Sequence, residues 1–201
     1  MQDDGIALYR RFLSGDEGGL EQLISLYQRG LLRFIYGYVH DVFLAEDILT
    51  DVFFTLYYKR PFKETDNATF KTYLYKIARN KALNAVKKRN RRKEISLEAL
   101  TEKGENAAME QEAQAILYGE SPTPHTSLEQ TERNVKIYTA LKRLREEYRE
   151  TLILRYFDDL SPKQISKITG RNIKQVYNLL TRGKIALKQE LTAEGISYED
   201  I

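Results

Sequence analysis

The segment FKTYLYKIARNKALNAVKKRNRRK, residues 70–93, constrains the fold more than any other part of this chain. It contains ten Lys or Arg residues, three aromatic residues and no acidic residue. Because so many cations cannot be buried together, the segment needs a secondary structure with one exposed face. Its apolar residues share one face of a helical wheel, which only Lys81 interrupts. They are Phe70, Leu74, Ile77, Ala78 and Ala85. The pattern predicts a long amphipathic helix.

The sequence before this basic helix has the same helical periodicity, and no strand-like alternation is long enough to build a sheet. Further helices are predicted at about 4–14, 18–39 and 42–59. Ser14-Gly15 is expected to end the first helix, and Arg60-Pro61 the third. The loop PFKETDNAT then leads into the basic helix. Four amphipathic helices with short connections predict one compact bundle over residues 1–93.

Residues 94–127 differ in composition from what precedes them. Glu, Gln, Ala and Ser dominate, and the stretch SPTPHTS contains two of the four prolines of the chain. Residues 94–120 carry seven Glu against a single Lys103. This composition is typical of an interdomain linker, with fragile helix expected around 107–117. Helical periodicity resumes at Leu128 and continues almost to the end of the chain.

The stretch LSPKQISKITGRNIKQVYNLLTRGKIALKQEL, residues 160–191, has the pattern of a helix-turn-helix. Ser161 is a favourable N-cap, Pro162 suits the first helical turn, and Gly170 permits a positive φ between the helices. Asn172 is expected to cap the second helix. The predicted core stripes of the two helices are Ile165 and Ile168, then Ile173, Val176, Leu180, Gly183 and Leu187. Preceding helices at about 130–146 and 148–157 are expected to complete the bundle with Leu141, Leu144, Leu152, Ile153, Leu154 and Phe157.

The opposite face of the second helix is polar throughout, and its side chains can all hydrogen-bond to base edges or phosphates. An ordinary solvated face would also be polar, but the glycine-containing turn and the spacing favour a recognition helix in a DNA major groove. The predicted duplex-binding residues are Arg171, Asn172, Lys174, Gln175, Asn178, Thr181 and Arg182.

The basic helix has a second face that combines cations, amides and an aromatic ring. Its members are Tyr73, Lys76, Asn80, Asn84 and Lys87. Cations can neutralise phosphates while an aromatic ring stacks on an exposed base, so the mixture suits single-stranded or partly opened nucleic acid. The plainer alternative is a solvated cationic helix with Tyr73 packed on its neighbour.

The predicted helix VFLAEDILTDVFFTLYYK, residues 42–59, carries an outward cluster of Glu46, Asp47 and Asp51. These carboxylates could bind a metal, but neither His40 nor His125 stands in a ligand pattern with them. A docking face for a basic protein partner is the preferred interpretation, although acidic helix faces are usually only solvated.

Composition excludes several other classes of protein. The chain contains no cysteine, which excludes disulfides, thiolate metal sites and a cysteine nucleophile. Its first residues lack the order of a signal peptide, and no run approaches the roughly 20 apolar residues of a membrane helix. We therefore expect a cytoplasmic protein without membrane insertion and without a cofactor.

Three segments carry a resemblance to a known family. They are LLRFIYGYVHDVFLAEDILTDVFFTLY, FKTYLYKIARNKALNAVKKR and ALKRLREEYRETLILRYFDDLSPKQISKITGRNIKQVYNLLTRGKIAL. In this order, the chain resembles a bacterial extracytoplasmic-function (ECF) RNA polymerase sigma factor, the compact class with only sigma domains 2 and 4. The resemblance implies an all-α fold of two small helical domains joined by a linker. These are sigma domain 2, a four-helix bundle, over 1–93; the linker over 94–127; and sigma domain 4, a helix-turn-helix bundle, over 128–201.

The resemblance also implies roles and partners for a protein that is not an enzyme. Core RNA polymerase would dock on Glu46, Asp47, Asp51 and Phe53. The second domain would read the minus-thirty-five duplex of promoter DNA, and an anti-sigma protein would be a further partner. The residues implied in capturing and melting the minus-ten strand are Lys63, Asn67, Tyr73, Lys76, Asn80, Asn84, Lys87, Lys88 and Arg89. The acidic linker resembles those that thread toward the RNA exit channel.

Some positions depart from the family pattern. Many members have Trp where Tyr73 stands, Asp where Asn84 stands and Gln-Glu where Thr50-Asp51 stands. Tyr177, Asn178 and Gly183 also replace commoner residues, which bears on promoter preference. The main alternative is a stand-alone helix-turn-helix transcriptional regulator whose amino-terminal bundle senses a ligand or dimerises, although nothing in residues 1–90 resembles a ligand pocket or a dimer seam. A metal-dependent nuclease is a third class, and it lacks a supporting motif.

Overall fold

The computed structural model describes residues 4–59, 62, 69–95 and 128–193. For residues 92–95 and 128–135 it describes the backbone alone. All the regular secondary structure in these ranges is helical. The N-terminal unit consists of α1 (Asp4–Leu13), α2 (Glu17–Val39), α3 (Val42–Lys59) and α4 (Phe70–Ile95). The C-terminal unit consists of α5 (Leu128–Arg143), α6 (Glu146–Leu152), a π-helical turn (Ile153–Phe157), α7 (Pro162–Thr169) and α8 (Ile173–Ala193). The predicted all-α fold is confirmed.

Short, locally determined turns separate the first three helices. Gly15 has a φ of 97°, a conformation that glycine adopts without a side-chain penalty. α2 ends at His40, whose φ is 53° and whose backbone N–H donates to the carbonyl of Tyr36. The carboxylate of Asp41 then accepts the backbone N–H of Leu44 at 3.0 Å, which satisfies a free donor of α3. Chain reversals this short make α2 pack against both α1 and α3.

An aromatic cluster forms the core of the N-terminal unit and fixes the basic helix α4 in it. Tyr9 of α1 contacts the ring of Phe70, with ring centroids 5.0 Å apart. Phe70, Leu74 and Ala78 are fully buried, as the predicted face of the basic helix requires. Tyr75 is also buried in the protein, although the sequence analysis did not assign it to the core. The opposite side of α4 is therefore directed to solvent.

The helix-turn-helix has the predicted caps. Ser161 forms a reciprocal pair with Gln164: the backbone N–H of Gln164 donates to the Ser161 hydroxyl, and the Ser161 N–H donates to the Gln164 side chain. Gly170 ends α7 with a φ of 74°. The side chain of Asn172 accepts the Gln175 backbone N–H at 2.8 Å at the start of α8. These caps fix the angle between the two helices.

Several details of the C-terminal unit differ from the prediction. The helices expected at about 130–146 and 148–157 are interrupted earlier, because Arg145 has an extended backbone (ψ 140°) and α6 begins after it. The chain then forms a π-helical turn instead of continuing as α-helix. Ile173 is 44% exposed and Phe157 is 38% exposed, so their predicted place in the core was wrong. Ile173 lies at the start of α8, and Phe157 follows the buried part of the π-helical turn, where its ring lies 5.1 Å from the Arg33 guanidinium of α2.

The two units contact each other directly. α4 packs along α7, and α2 packs against α6 and the π-helical turn. The sequence analysis did not predict this contact. In the ranges described above, no helix combines the length and the apolar character needed to cross a membrane.

Candidate nucleic-acid and protein-binding surfaces

The polar face of α8 is presented to solvent as predicted. Asn172, Lys174, Gln175, Asn178, Thr181 and Arg182 are all exposed. Val176 and Leu180 anchor the opposite face in the core. The side-chain oxygen of Gln175 accepts the Asn172 backbone N–H at 3.0 Å, so only its amide group remains to donate to a ligand. The face offers cations, amides and a hydroxyl along one side of a rigid helix, the mixture that major-groove contacts require.

Arg171 is the one predicted duplex-binding residue that does not face open solvent. Its Nη1 lies 2.7 Å from Oε2 of Glu150 in the same unit.

The exposed surface of α8 also includes apolar side chains among the polar ones, since Ile173, Tyr177 and Ile185 are exposed. An exposed apolar residue on a recognition helix can contact a thymine methyl group. The sequence analysis did not consider Ile173 as a candidate for such a contact, because it assigned this residue to the core stripe of the helix.

The cationic face of α4 is also largely exposed to solvent. Lys76, Asn80, Asn84, Lys87 and Lys88 are exposed along one side of the helix. Tyr73 is half-buried, and its ring packs against Phe62 with centroids 5.1 Å apart. This partial burial raises the pKa of the Tyr73 hydroxyl. The ring thus combines a packed side with an accessible one, as a stacking platform does.

Three predicted minus-ten residues remain, namely Arg89, Lys63 and Asn67. Arg89 is half-buried, and its guanidinium donates to the carbonyl of Val39, the last residue of α2, at 2.7 Å. This bond satisfies a terminal helix carbonyl and gives Arg89 a structural role in joining α4 to α2. Lys63 and Asn67 lie outside the described residues, as does most of the loop that precedes α4.

On α3 the three predicted carboxylates lie on the exposed surface. Glu46 and Asp47 point away from the core, and Asp51 lies 3.6 Å from the Lys81 ammonium of α4. This contact leaves the Asp51 side chain 69% exposed. Within the described ranges, no three acidic or histidine side chains are arranged to hold a metal ion.

Phe53, the fourth predicted polymerase-binding residue, is only 8% exposed. It lies at the base of an open groove between α2 and α3, which has a volume of about 540 Å³. The walls of this groove include Leu20 and Ile24 of α2 and Phe54 and Tyr58 of α3. The Phe54 and Tyr58 rings stack with an interplanar angle of 6°, and both are exposed. An apolar groove beside a carboxylate cluster suits a partner helix with apolar and basic residues.

Two buried carboxylates of the C-terminal unit connect it to the N-terminal unit. The first is Glu150 of α6, whose side chain is 2% exposed. It accepts hydrogen bonds from the Tyr38 hydroxyl of α2 and from the Arg79 guanidinium of α4, the latter at 2.6 Å. Burial, and then the neighbouring Glu150 charge, raise the pKa of Tyr38 well above its usual value.

The second carboxylate is Asp158, which follows the π-helical turn and is 3% exposed. Its Oδ1 accepts the Tyr75 hydroxyl at 2.7 Å and lies 3.2 Å from the Arg33 guanidinium. The Lys71 ammonium donates to its backbone carbonyl. Burial raises the pKa of the Asp158 carboxyl although Arg33, Tyr75 and Lys71 all oppose the increase.

A cleft of about 610 Å³ lies where α4 meets the helix-turn-helix. Tyr73 and Lys76 line it from the N-terminal unit, and Arg171 and Asn172 line it from the C-terminal unit. Its further lining residues are Thr72, Ser166, Lys167 and Gly170. The two predicted DNA-binding surfaces therefore meet in the packed form of the chain.

Comparison with known families finds two matches along the chain. A model described as sigma-70 region 2 matches residues 23–92, and one described as sigma-70 region 4 matches residues 134–187. Together they cover more than half of the sequence. The first match ends within α4, and the second includes α7 and most of α8.

Similar full-length proteins are sigma factors. The chain is 24% identical over 177 residues to the ECF RNA polymerase sigma factor SigW of Bacillus subtilis, covering 88% of this chain and 91% of that protein. It is 28% identical over 190 residues to the RNA polymerase sigma-H factor of Pseudomonas aeruginosa, covering 94% and 95%.

Two solved structures share the fold. One is the sigma factor RpoE in complex with the anti-sigma factor NepR from Bartonella quintana, with a TM-score of 0.65 and 22% identity over 86% of this chain and 96% of that one. The other is CnrH in complex with the cytosolic domain of CnrY, with a TM-score of 0.63 and 17% identity over 96% and 99%.

Proposed function

The chain belongs to the extracytoplasmic-function group of RNA polymerase sigma factors, and we propose that it binds core RNA polymerase and directs promoter-specific transcription initiation. The observation that carries this proposal is the presence, in one chain, of an exposed cationic helix in region 2 and a helix-turn-helix with caps at its turn in region 4. A stand-alone regulator would need only the helix-turn-helix. In this role the protein is a cytoplasmic specificity subunit and not an enzyme.

The N-terminal unit is proposed to open the minus-ten region. Lys76, Lys87 and Lys88 are placed to neutralise phosphates of a single strand. Asn80 and Asn84 can hydrogen-bond to base edges, and Tyr73 can stack on an unpaired base. Trapping unstacked bases offsets the unstacking cost of a few kcal/mol per step. Because Arg89 already bonds to the end of α2, we assign it to positioning α4 and not to base contact.

The C-terminal unit is proposed to read the minus-thirty-five duplex with α8. Lys174, Asn178 and Thr181 lie on its exposed side and can reach base edges, while Arg182 can reach a phosphate. The exposed Tyr177 adds an apolar surface for a thymine methyl group. The substitutions at Tyr177 and Asn178 relative to commoner family residues make this helix the part expected to set promoter preference.

We assign polymerase docking to α3 and the groove beside it. Glu46, Asp47 and Asp51 supply a charge that attracts a basic partner, and Phe53 contributes the base of the apolar groove. Both solved relatives named above are complexes with a partner protein, and the first is with an anti-sigma factor. An inhibitory protein of that kind is therefore a further proposed partner.

The docking proposal is tested by fluorescence anisotropy of the labelled chain titrated with bacterial core RNA polymerase. We expect binding in the nanomolar range, weakened at least about tenfold (roughly 1.4 kcal/mol) when Asp47→Lys and Asp51→Lys are combined. The matched control combines Glu147→Lys and Glu190→Lys, which makes the same change in net charge on the C-terminal unit. Those two carboxylates take part in ion pairs at the surface of the C-terminal unit, with side chains 37% and 34% exposed, so the control should fold normally.

Equal weakening by both double variants would show that net charge, and not the α3 surface, governs association. No binding of the wild-type chain to core polymerase, together with tight binding to a palindromic duplex by the chain alone, would refute the sigma assignment. The helix-turn-helix regulator would then replace it.

A further inference from the structure

The exposed side of α8 carries a row of apolar groups at helical spacing. Ile173 is 44% exposed, and Tyr177, one helical turn later, is 56% exposed. Thr181 continues the row after the same interval, since it is exposed and its hydroxyl donates to the carbonyl of Tyr177 at 3.1 Å. Successive members lie about 6 Å apart along the helix axis and are rotated by only about 40°. Single exposed apolar residues are ordinary on a protein surface, but a row along one helix indicates a binding function.

Hydrogen bonds within α8 limit what its first turn can offer to a base. The side-chain oxygen of Asn172 accepts the Gln175 backbone N–H at 2.8 Å, and the side-chain oxygen of Gln175 accepts the Asn172 N–H at 3.0 Å. Bidentate pairing with adenine requires the oxygen and the amide of one such side chain together. With their oxygens engaged in caps, these two residues do not offer that pair in this conformation. Ile173 and Tyr177 expose their side chains beside the caps, so apolar contact is the interaction for which the first two turns are best equipped.

The polar residues next to the apolar row favour DNA over a protein as the partner of this face. Lys174, Asn178 and Arg182 form a second exposed row, displaced by one residue from the first. The core of a protein–protein interface is depleted of charged residues. A major groove instead offers phosphates along its rim and thymine methyl groups among its base edges. A cationic row beside an apolar row therefore matches the groove better than it matches a protein surface.

We propose that Ile173 and Tyr177 read the minus-thirty-five duplex through contacts with thymine methyl groups. The inference rests on the proposed sigma function and names the feature of the duplex that α8 selects. The two side chains stand about 6 Å apart along the helix, and base pairs are stacked about 3.4 Å apart, so the two thymines are expected within about two base pairs of each other. Lys174 and Arg182 hold the helix in the groove by contacts with phosphates, which carry no sequence information.

Ile185 provides a comparison within the same helix. It is 57% exposed, so its side chain is at least as accessible as those of Ile173 and Tyr177. It lies about 18 Å from Ile173 along the helix axis, whereas the major groove is about 12 Å wide and receives a recognition helix by its N-terminal residues. We therefore expect Ile185 to contribute nothing to the reading of thymines.

Deoxyuridine tests the proposal, because uracil differs from thymine only by lacking the C5 methyl group. Core RNA polymerase carrying the wild-type chain would first select duplexes from a random DNA library. Each thymine of the selected minus-thirty-five element would then be replaced singly by deoxyuridine in a synthetic duplex, and binding would be measured by fluorescence anisotropy. We expect about fourfold weaker binding at two of these positions, the factor that corresponds to the burial of one methyl group. Thymines outside the element, replaced in the same way, should have no effect.

Alanine variants assign each methyl group to a side chain. Ile173→Ala and Tyr177→Ala should each bind the thymine duplex and the deoxyuridine duplex equally at one of the two positions, as a double-mutant cycle requires of groups in contact. Ile185→Ala should keep the full wild-type response at both. All three side chains are exposed, so we expect the variants to fold, with helical circular dichroism equal to that of the wild type.

The outcomes separate the methyl contacts from the proposed function. Equal binding of thymine and deoxyuridine duplexes by the wild-type complex at every position, or a selected element without thymine, overturns the inference and leaves the sigma assignment intact. Loss of the deoxyuridine effect in Ile185→Ala overturns it as well. Weaker binding of Tyr177→Ala to core polymerase, without any effect of deoxyuridine, would make the row a protein contact instead. If core polymerase carrying the chain selects no duplex, the sigma assignment fails and the methyl contacts fail with it.

Discussion

At the scale of single residues, Asp158 shows how burial and pairing compete at one carboxyl group. The nearby cations Arg33 and Lys71 favour the ionised form, but Oδ2 of Asp158 meets no hydrogen-bond donor among the described residues. An unsatisfied buried oxygen favours protonation, since a charged carboxylate loses its hydration there. The net result is the raised pKa of Asp158.

This raised pKa predicts a pH dependence with a defined sign. A carboxyl whose pKa is higher in the folded state stabilises the fold fully below its unfolded pKa of about 3.9, and the contribution is lost as the pH rises through the folded pKa. Asp158→Asn cannot titrate. The free energy of unfolding of the wild type, relative to this variant, should therefore be highest near pH 4 and decrease toward pH 7, as measured by urea denaturation at each pH.

An increase in that difference toward neutral pH would contradict the account, because it would mean that the ion pair with Arg33 outweighs burial. Asp159→Asn is the matched control. Its side chain is 84% exposed and lies 3.8 Å from Arg155, so Asp159→Asn removes one exposed ion pair and should change the free energy of unfolding little.

Individual side chains were predictable from the sequence where solvent alone decides their position. Lys76, Asn80 and Asn84 are exposed as the helical wheel of the basic segment requires. Arg89 shows the limit of that reasoning, because its bond to Val39 depends on where α2 ends beside α4. Ile173 shows a second limit of the helical wheel, since an apolar side chain at the first turn of a helix is buried only if a neighbouring element covers it.

At the scale of helices, the caps were predictable because they depend on neighbours only a few residues away. Ser161, Gly170 and Asn172 all have the expected roles. The π-helical turn at Ile153–Phe157 was not predictable. Its sequence is compatible with continuous α-helix, and the turn exists where Asp158 is drawn toward α2 and α4 by contacts distant in sequence.

The turn between α7 and α8 depends on the backbone conformation of Gly170, and substitution of this residue tests that dependence. A Cβ atom at Gly170 would meet open space, so the cost of Gly170→Ala arises only from the positive φ of 74°. We expect a loss of about 1 kcal/mol in the free energy of unfolding, measured by urea denaturation. Gly170→Asn should lose less, because asparagine tolerates this conformation. Equal losses for both would indicate that the backbone conformation is not the cause.

At the scale of the whole molecule, the sequence predicted two helical units but not their contact. The residues that form the interface are scattered between Arg33 and Arg171 and resemble ordinary surface charges when considered alone. Only the three-dimensional structure shows that Glu150 and Asp158 are buried and that the partners come from α2 and α4. The same structure places the carboxylates of α3 away from this contact, so the proposed polymerase-docking surface and the contact between the units are different surfaces.

The central claim is that this chain gives core RNA polymerase its promoter specificity, and promoter-dependent initiation tests it most directly. Purified core polymerase would transcribe a DNA library from the source bacterium with and without the chain, and permanganate would detect unpaired thymines. We predict transcripts that start at defined positions only when the chain is present, with reactive thymines in the minus-ten region upstream of each start. Transcripts that are unchanged by the chain, with no reactive thymines, would contradict the account.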